Sequence, residues 1–184
     1  GTRKTGPAKA DAALIRGILA IGLLGLGACT ASTPTAVKLP GYRDQSALIG
    51  VTSRFDEKKF EGVWYVRAGF DPDLGKMAFR MIHTPKGHVM RLGASVCDAA
   101  GVCGDYSEDL PVTRLGKGQF RVKMPNGLNR DFWVLWVDEG FRTAVLGNKT
   151  GEFGWIVDRS TKGGADRIAA AHEILDFNGY HVSQ

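Results

Sequence analysis

Between residues 64 and 158, hydrophobic and polar positions alternate along short segments separated by turn residues. Alternation with a period of two places successive side chains on opposite faces, so each segment predicts a β-strand with one covered face. The segments are 64–70, 77–84, 88–97, 119–124, 131–138, 141–147 and 152–158, with a weaker one at 108–113. Seven or eight consecutive strands joined by brief turns predict an antiparallel up-and-down barrel, because closure removes exposed strand edges.

The period changes near the C-terminus, where "ADRIAAAHEILDF" at residues 165–177 has the spacing of an amphipathic helix. An eight-stranded barrel has no room inside for a helix, so this helix is expected to pack outside. Before the first strand, "FDEKKF" predicts a single helical turn capped by Asp56. The predicted domain therefore spans residues 54–184. The helix face expected against the barrel carries Ile168, Ala171, His172 and Leu175.

The first 28 residues differ from the rest of the chain. A basic region is followed by the uncharged run "GILAIGLLGLGA" at 17–28, which is shorter than the roughly 20 residues of a transmembrane helix. This order is typical of an export signal. The end of the run, "LGAC", resembles the bacterial lipoprotein cleavage box, which implies removal of residues 1–28 and acylation of Cys29. An ordinary secretory signal followed by an unrelated cysteine is the alternative. Residues 29–53 are small, polar and proline-containing, which predicts a flexible tether.

Composition and charge narrow the class of protein. The 184 residues are 43% hydrophobic and 23% charged, which suits one globular domain and is too polar for a polytopic membrane protein. The predicted signal carries +3 of the net charge of +5, so the remainder carries only +2. Because no dense run of Lys and Arg with interleaved aromatic residues remains, nucleic acid is not an expected partner.

Two cysteines remain after Cys29, and they flank the short turn "DAAGV". Export places Cys97 and Cys103 in an oxidising compartment, where a disulfide is expected to staple the hairpin. Closing so small a loop contributes about 2 kcal/mol in the chain-entropy model. A metal site is not expected, because two cysteines without a nearby histidine cannot fill four zinc positions.

Three motifs follow one another along the predicted strands. "GVWYV" contains Gly62 and Trp64, "WVDEGFRTAVLG" contains Asp138, and "FGWIVDRS" contains Trp155 and Arg159. In this order, and followed by the terminal helix, they resemble the lipocalin family over residues 55–182. Together with the acylation box, the chain is most similar to bacterial outer-membrane lipocalin lipoproteins. It departs from the family's pattern at Phe141, where tyrosine is frequent, and at Asp158, where a small polar residue is common.

The resemblance implies roles for several residues. It implies that Trp64 fills the closed end of the barrel and that Arg159 lies across its ring, a contact that cation–π attraction would stabilise. Gly62 would permit the close turn beside Trp64. The implied location is the bacterial cell envelope, on the periplasmic side of the outer membrane. The implied cargo is a small hydrophobic or amphiphilic ligand such as a fatty acid or lysophospholipid.

The inward register of the early strands would line the barrel with apolar side chains, and flexible methionines suit an adaptable cavity. The alternative for each is ordinary core packing. Three basic residues, Arg80, Arg91 and His83, are candidates to meet a carboxylate or phosphate at the rim, although alternation turns Arg80 and Arg91 towards water. The candidate ligand-binding residues are Val66, Met77, Phe79, Met81, Met90 and Leu92.

Two other classes of function stay open. Some lipocalin-like proteins are enzymes, but this sequence has no Gly-x-Ser-x-Gly elbow, His-Glu-x-x-His motif or phosphate-binding loop. No catalytic residue and no cofactor are therefore expected, unless an unpaired Cys97 acts as a nucleophile. The third class is an envelope interaction protein whose barrel is filled by its own side chains. Lipid binding discriminates between that class and a carrier.

Overall fold

A computed structural model of the chain describes residues 41–70, 77–97 and 100–183. Eight antiparallel strands pair in sequence order, and the first also pairs with the last, so the sheet is a closed barrel. The predicted fold is confirmed, including the helix after the last strand. The elements are α1 (Glu57–Phe60), β1 (Gly62–Gly69), β2 (Met77–Thr84), β3 (Gly87–Cys97), β4 (Cys103–Gly116), β5 (Gln119–Lys123), β6 (Asn129–Val137), β7 (Thr143–Gly147), β8 (Gly154–Asp158) and α2 (Ala165–Phe177).

The fourth strand is the main difference from the predicted strands. Only 108–113 had a weak alternating pattern, whereas β4 runs from Cys103 to Gly116. Most of its residues are exposed, so no apolar face marks its first half. The first half of β4 is defined by its pairing with β3. The paired residues run from His88 opposite Val112 to Cys97 opposite Cys103.

Helix α2 packs on the outside of β6, β7 and β8. Ala171 and Leu175 are buried there against Leu135, Val145 and Ile156 of the sheet. The expectation for His172 was wrong. Its side chain is exposed, since it lies about 100° around the helix from Ala171, away from the sheet.

Asp158, at the end of β8, also joins α2 to the barrel. Its buried carboxylate accepts hydrogen bonds from the hydroxyl of Thr143 (2.5 Å), the backbone N–H of Ser160 (2.8 Å) and the guanidinium of Arg167 (3.2 Å). Arg167 belongs to α2 and also donates to the hydroxyl of Thr143 (2.8 Å). A buried carboxylate needs such partners to offset its lost hydration.

Residues 41–53 pack against the barrel, so the predicted tether over 29–53 ends no later than residue 40. The buried guanidinium of Arg43 donates to the carbonyls of Asn178 (2.6 Å), Lys149 (3.1 Å) and Ala47. The backbone N–H of Thr52 donates to the carbonyl of Val134 (2.9 Å). The signal over residues 1–28, Cys29 and the rest of the tether lie outside the described residues.

The backbone register places Cys97 of β3 directly opposite Cys103 of β4. Facing residues of an antiparallel pair have Cα atoms about 4.5–5.5 Å apart, which is the spacing that a disulfide requires. The side chain of Cys97 lies outside the description, so the disulfide stays a prediction.

Tyr180 fixes the turn between β7 and β8 from outside the barrel. Its buried ring stacks on Phe70, which in turn stacks on Tyr42. Its hydroxyl accepts the backbone N–H of Asn148 (2.9 Å) and donates to the carbonyl of Phe153 (2.9 Å). Gly147 must lack a side chain here, because a Cβ would lie 2.3 Å from the Tyr180 hydroxyl.

Replacing Tyr180 by Phe should lower the free energy of unfolding at neutral pH by about 1–3 kcal/mol, because the N–H of Asn148 loses its buried partner. Burial raises the pKa of Tyr180 to about 12, above the value near 10 of the unfolded chain. The unfolded state therefore ionises first as pH rises. The contribution of Tyr180 is complete below about pH 10 and is lost towards about pH 12.

Urea denaturation of both proteins at neutral pH and across that alkaline window measures the effect. The difference between wild type and Tyr180→Phe should shrink as pH rises. A difference that is absent at neutral pH, or constant through the window, would contradict this role for the hydroxyl.

Candidate functional site

The barrel is closed at the end where β1 begins. Trp64 is fully buried there, and its indole N–H donates to the carbonyl of Phe60 in α1 (2.8 Å). The rings of Trp64 and Phe60 lie 4.9 Å apart between centroids. The guanidinium carbon of Arg159 lies 3.7 Å from the centroid of the Trp64 ring, the contact that the resemblance implies. The Trp64 indole, helix α1 and the Arg159 guanidinium together close this end of the barrel, and we call them the plug.

The guanidinium of Arg159 also donates hydrogen bonds to backbone carbonyls in three parts of the chain. It donates to Val63 (2.9 Å), Lys59 (2.7 Å) and Phe141 (3.3 Å). Burial lowers the pKa of its guanidinium. At Gly62, which has a φ of 95°, an added Cβ would lie 3.1 Å from Nη1 of Arg159. Glycine thus permits both the turn and the close approach.

The turn between β6 and β7 depends on Asp138. Its carboxylate accepts the backbone N–H groups of Thr143 (2.7 Å) and Gly140 (3.3 Å) and the side chain of Arg142 (2.9 Å). Burial alone would raise the pKa of Asp138, but hydrogen bonds from Thr143 and Arg142 outweigh it, so the pKa lies below its ordinary value. This turn holds Phe141 at a φ of 53° and so presents the Phe141 carbonyl to Arg159.

All six candidate ligand-binding residues belong to the hydrophobic cluster inside the barrel. Four of them are buried, whereas Met77 and Leu92 are partly buried and pack against the same cluster. The cluster also includes residues of later strands that the sequence analysis did not assign to ligand binding. The alternation in β5 and β6 was the signal that could have identified several of them. The additional interior residues include Leu110, Phe120, Val122, Phe132, Phe153 and Trp155.

An aromatic cluster lies inside the barrel around Trp155 of β8. Trp155 is buried, with its ring centroid 5.0 Å from Phe153, 5.6 Å from Phe132 and 6.4 Å from Phe79. Phe132 and Phe153 are 4.6 Å apart. Tilted and edge-to-face pairs of this kind are favourable beyond their buried area. Trp155 therefore lines the interior and is not part of the plug around Trp64.

We call the end of the barrel opposite the plug its mouth. Strands β4 and β6 both begin at this end. Arg130 of β6 is opposite Val122 of β5, on the strand face that turns inward. Its guanidinium lies 5.8 Å from the ring centroid of Phe153, and its Nε lies 3.7 Å from a carboxylate oxygen of Glu152. A half-buried cation thus sits at the mouth beside an aromatic ring.

A carboxylate and a phenol occupy the inward face of β4 at the same end. Glu108 is opposite Leu92 and Tyr106 is opposite Ala94, and this face continues into the buried Leu110. The Tyr106 hydroxyl donates to the carboxylate of Glu108, and this hydrogen bond raises the pKa of Tyr106. None of the three was predicted: Arg130 and Tyr106 lie outside the predicted segments 131–138 and 108–113, and Glu108 is the first residue of the weaker one.

The three basic candidates of the sequence analysis do not meet at the mouth. Arg80 is exposed, and Arg91 forms an exposed bidentate pair with Asp109 (2.6 and 2.8 Å). His83 lies at the closed end, where its Nδ1 is 3.2 Å from Nε2 of His88. Within the described ranges, no three His, Cys, Asp or Glu residues are arranged to hold a metal ion. In those ranges no helix has the length and apolarity to cross a membrane.

Comparisons with known proteins identify the fold. No family model matches the chain. No curated protein matches it either. Solved structures do match: apocrustacyanin C1 is 15% identical, with a TM-score of 0.53 over 70% of this chain and 76% of that one. Lobster apocrustacyanin A1 is 14% identical, with a TM-score of 0.52 over the same shares, and apocrustacyanin C2 is 16% identical, with 0.50 over 67% and 73%. At these identities the likeness shows a shared lipocalin-like barrel.

The plug gives a prediction about stability. Replacing Trp64 by Ala should lower the free energy of unfolding by about 3–5 kcal/mol, because a buried indole is removed. In a double-mutant cycle with Arg159→Gln, the coupling should be about 0.5–2 kcal/mol, the size of a cation–π contact. Urea denaturation of the four proteins measures it.

A matched control uses Arg67, whose guanidinium also donates to backbone carbonyls, those of Ser160 and Gly163. A cycle of Trp64→Ala with Arg67→Gln should show no coupling. Equal coupling in both cycles, or none with Arg159, would contradict the stacked contact as the stabilising element.

Proposed function

We propose that this protein is an envelope lipoprotein whose barrel binds a small amphiphilic ligand, with a zwitterionic lysophospholipid as the favoured cargo. One observation carries this proposal: the barrel has an apolar interior plugged at one end, and both signs of charge on the inward face of its mouth. The proposed activity is binding, with roles in lipid storage, transport or envelope maintenance. No catalysis is proposed.

The interior supports an acyl chain as the part of the ligand held inside. Its hydrophobic lining combines four methionines, Met77, Met81, Met90 and Met124, with an aromatic cluster. Methionine side chains are flexible and polarisable, so they adapt to chains of different length and curvature. Because Trp64 and Arg159 block the closed end, a ligand enters tail first from the mouth.

The mouth supports a head group with two charges. Arg130 can donate to a phosphate, and its present partner Glu152 is 3.7 Å away, too far for a strong hydrogen bond. Across the short strand β5, Glu108 and Tyr106 offer oxygen atoms to an ammonium group. A fatty acid carries only the anion, which Glu108 would repel. The charges therefore favour a lysophospholipid over a fatty acid.

The proposed location in the cell envelope is inferred from residues 1–29 of the sequence. A lipid on Cys29 would hold the barrel at a membrane surface, and export would place it in the cell envelope. The resemblance to outer-membrane lipocalin lipoproteins favours the periplasmic side of the outer membrane. A single acyl chain binds a membrane weakly. Lipoprotein anchors typically carry more than one acyl chain, which makes the attachment stable.

The binding prediction uses lysophosphatidylethanolamine and palmitate as probes. Native mass spectrometry of delipidated protein should show one bound lysophospholipid, with palmitate weaker. Arg130→Gln and Glu108→Gln should each weaken lysophosphatidylethanolamine by about tenfold, the value of one charge-assisted hydrogen bond. Asp109→Asn is the matched control, since it alters the neighbouring residue on the outer face of β4.

Two outcomes would count against the proposal. If neither lipid binds and tryptophan fluorescence does not change, the barrel is filled and the interaction-protein alternative is favoured. If both lipids bind equally to wild type and to both variants, the carrier function holds but the assignment of the head group to Arg130 and Glu108 is wrong.

Anchoring gives a separate prediction. Expressed in a bacterium, the protein should incorporate labelled palmitate and partition with membranes, because acylated cysteine is retained at the bilayer. Cys29→Ser should abolish both, whereas Cys103→Ser should leave labelling intact. Palmitate labelling that survives Cys29→Ser would contradict the proposed anchor.

A further inference from the structure

A polar groove lies on the outer face of the sheet, separate from the barrel interior. It runs between β5, β6 and the turn that joins β7 to β8, and it has a volume of about 190 Å³. We call it the outer groove. Along β5 and β6, outward residues such as Arg121 and Trp133 alternate with interior residues such as Val122 and Phe132. The residues that line the outer groove are Arg121, Asn129, Asp131, Trp133, Asn148, Lys149, Thr150 and Glu152.

One wall of the outer groove is held rigid by the turn over residues 148–152. The side-chain oxygen of buried Asn148 accepts the backbone N–H groups of Gly151 (2.8 Å) and Glu152 (3.1 Å). Tyr180 binds the backbone of Asn148 from below, and the guanidinium of Arg43 donates to the carbonyl of Lys149 (3.1 Å). The polar groups of this turn are therefore positioned before any ligand binds, which lowers the entropy cost of binding.

The opposite wall is a cross-strand ion pair. Arg121 of β5 donates to both carboxylate oxygens of Asp131 on β6 (2.7 and 3.0 Å), and this contact raises the pKa of Arg121. Two parallel hydrogen bonds hold both groups in one plane. The exposed edges of this pair leave further donors and acceptors at the rim of the groove.

Trp133 lines the groove between these walls. It is half-buried, it is paired with Gly147 of β7, and it packs against the hydrophobic cluster outside the barrel. Its indole N–H is buried and has no hydrogen-bond partner among the described residues. A buried donor without an acceptor is costly, so a ligand oxygen that displaces the side chains covering this N–H would offset that cost.

Charge and size restrict the class of ligand. Two bases, Arg121 and Lys149, balance two carboxylates, Asp131 and Glu152, so the groove has no net charge to attract a simple anion or cation. Seven of the eight lining residues are polar or charged, which favours a ligand with hydrogen-bonding groups. Pockets for drug-sized ligands occupy roughly 300–1,000 Å³, so about 190 Å³ suits a single small ring.

We propose that the outer groove binds one ring of a neutral saccharide. Ring hydroxyls donate to and accept from the planar groups of both walls, and the C–H edges of a sugar ring, which are slightly positive, pack on the negative face of an indole. Most side chains of this site lie on the faces of β5 and β6 opposite to the interior, so the groove is separate from the proposed acyl-chain site. Glu152 is common to the groove and the mouth, since it is also the ion-pair partner of Arg130.

The test follows the indole N–H resonance of Trp133 by ¹H–¹⁵N NMR during titration with methyl β-glucoside and with N-acetylglucosamine. At least one of these saccharides should shift the resonance with a millimolar dissociation constant. Asp131→Asn should weaken that binding about tenfold, because the Arg121 pair and one acceptor are lost. Inorganic phosphate and choline serve as ionic probes and should not compete.

Two matched variants keep the test falsifiable. Asp109→Asn breaks a similar bidentate Arg–Asp pair on β3 and β4 outside the groove and should leave saccharide binding unchanged. Glu108→Gln, at the mouth, should also leave it unchanged. The proposal is overturned if neither saccharide shifts Trp133, if phosphate or choline displaces the sugar, or if Asp109→Asn weakens binding as much as Asp131→Asn.

Discussion

The closed end of this barrel depends on the guanidinium of Arg159. Its N–H groups donate to carbonyls of α1, β1 and the turn before β7, and its plane covers the ring of Trp64. A closed sheet pairs its own backbone groups, but the ends of the barrel are not covered by strand pairing. By joining segments about a hundred residues apart, Arg159 closes one of these ends.

A second hydrophobic cluster lies outside the barrel wall, and it holds residues 41–53 and the segment from α2 to Val182 against the sheet. Helix α2 covers β6 to β8, while Tyr42, Phe70 and Tyr180 stack in sequence beside it. The stack fixes the turn over 148–152, which serves as one wall of the outer groove and carries Glu152 beside the mouth. Interior and exterior surfaces are therefore positioned by the same few contacts.

Sequence patterns predicted the barrel and the outer helix, because each leaves a one-sided apolar face. The contact of Trp64 with Arg159 was implied by the resemblance of three motifs to the lipocalin family. The patterns did not predict the first half of β4, where both faces are polar and only pairing with β3 defines the strand. They missed the packing of 41–53 because Arg43 holds that segment through backbone carbonyls, which no side-chain pattern records.

The residues of the candidate site also divide into those that the sequence predicted and those that it did not. The inward positions of β1 to β3 were predictable from alternation, but the charged groups at the mouth were not. Arg130 shares the inward face of Phe132, but it precedes the apolar segment 131–138, so the sequence does not show that the strand extends to it. Its position depends on register with β5, a contact that forms only when the chain folds.

The hydrogen bond from the backbone N–H of Tyr42 to the carbonyl of Gly151 has a consequence for the mouth of the barrel. Gly151 belongs to the turn over 148–152, and the same turn carries Glu152, the ion-pair partner of Arg130. Because Tyr42 contacts this turn from outside the barrel, a substitution that removes its contacts would change the position of Glu152 without altering any residue of the interior.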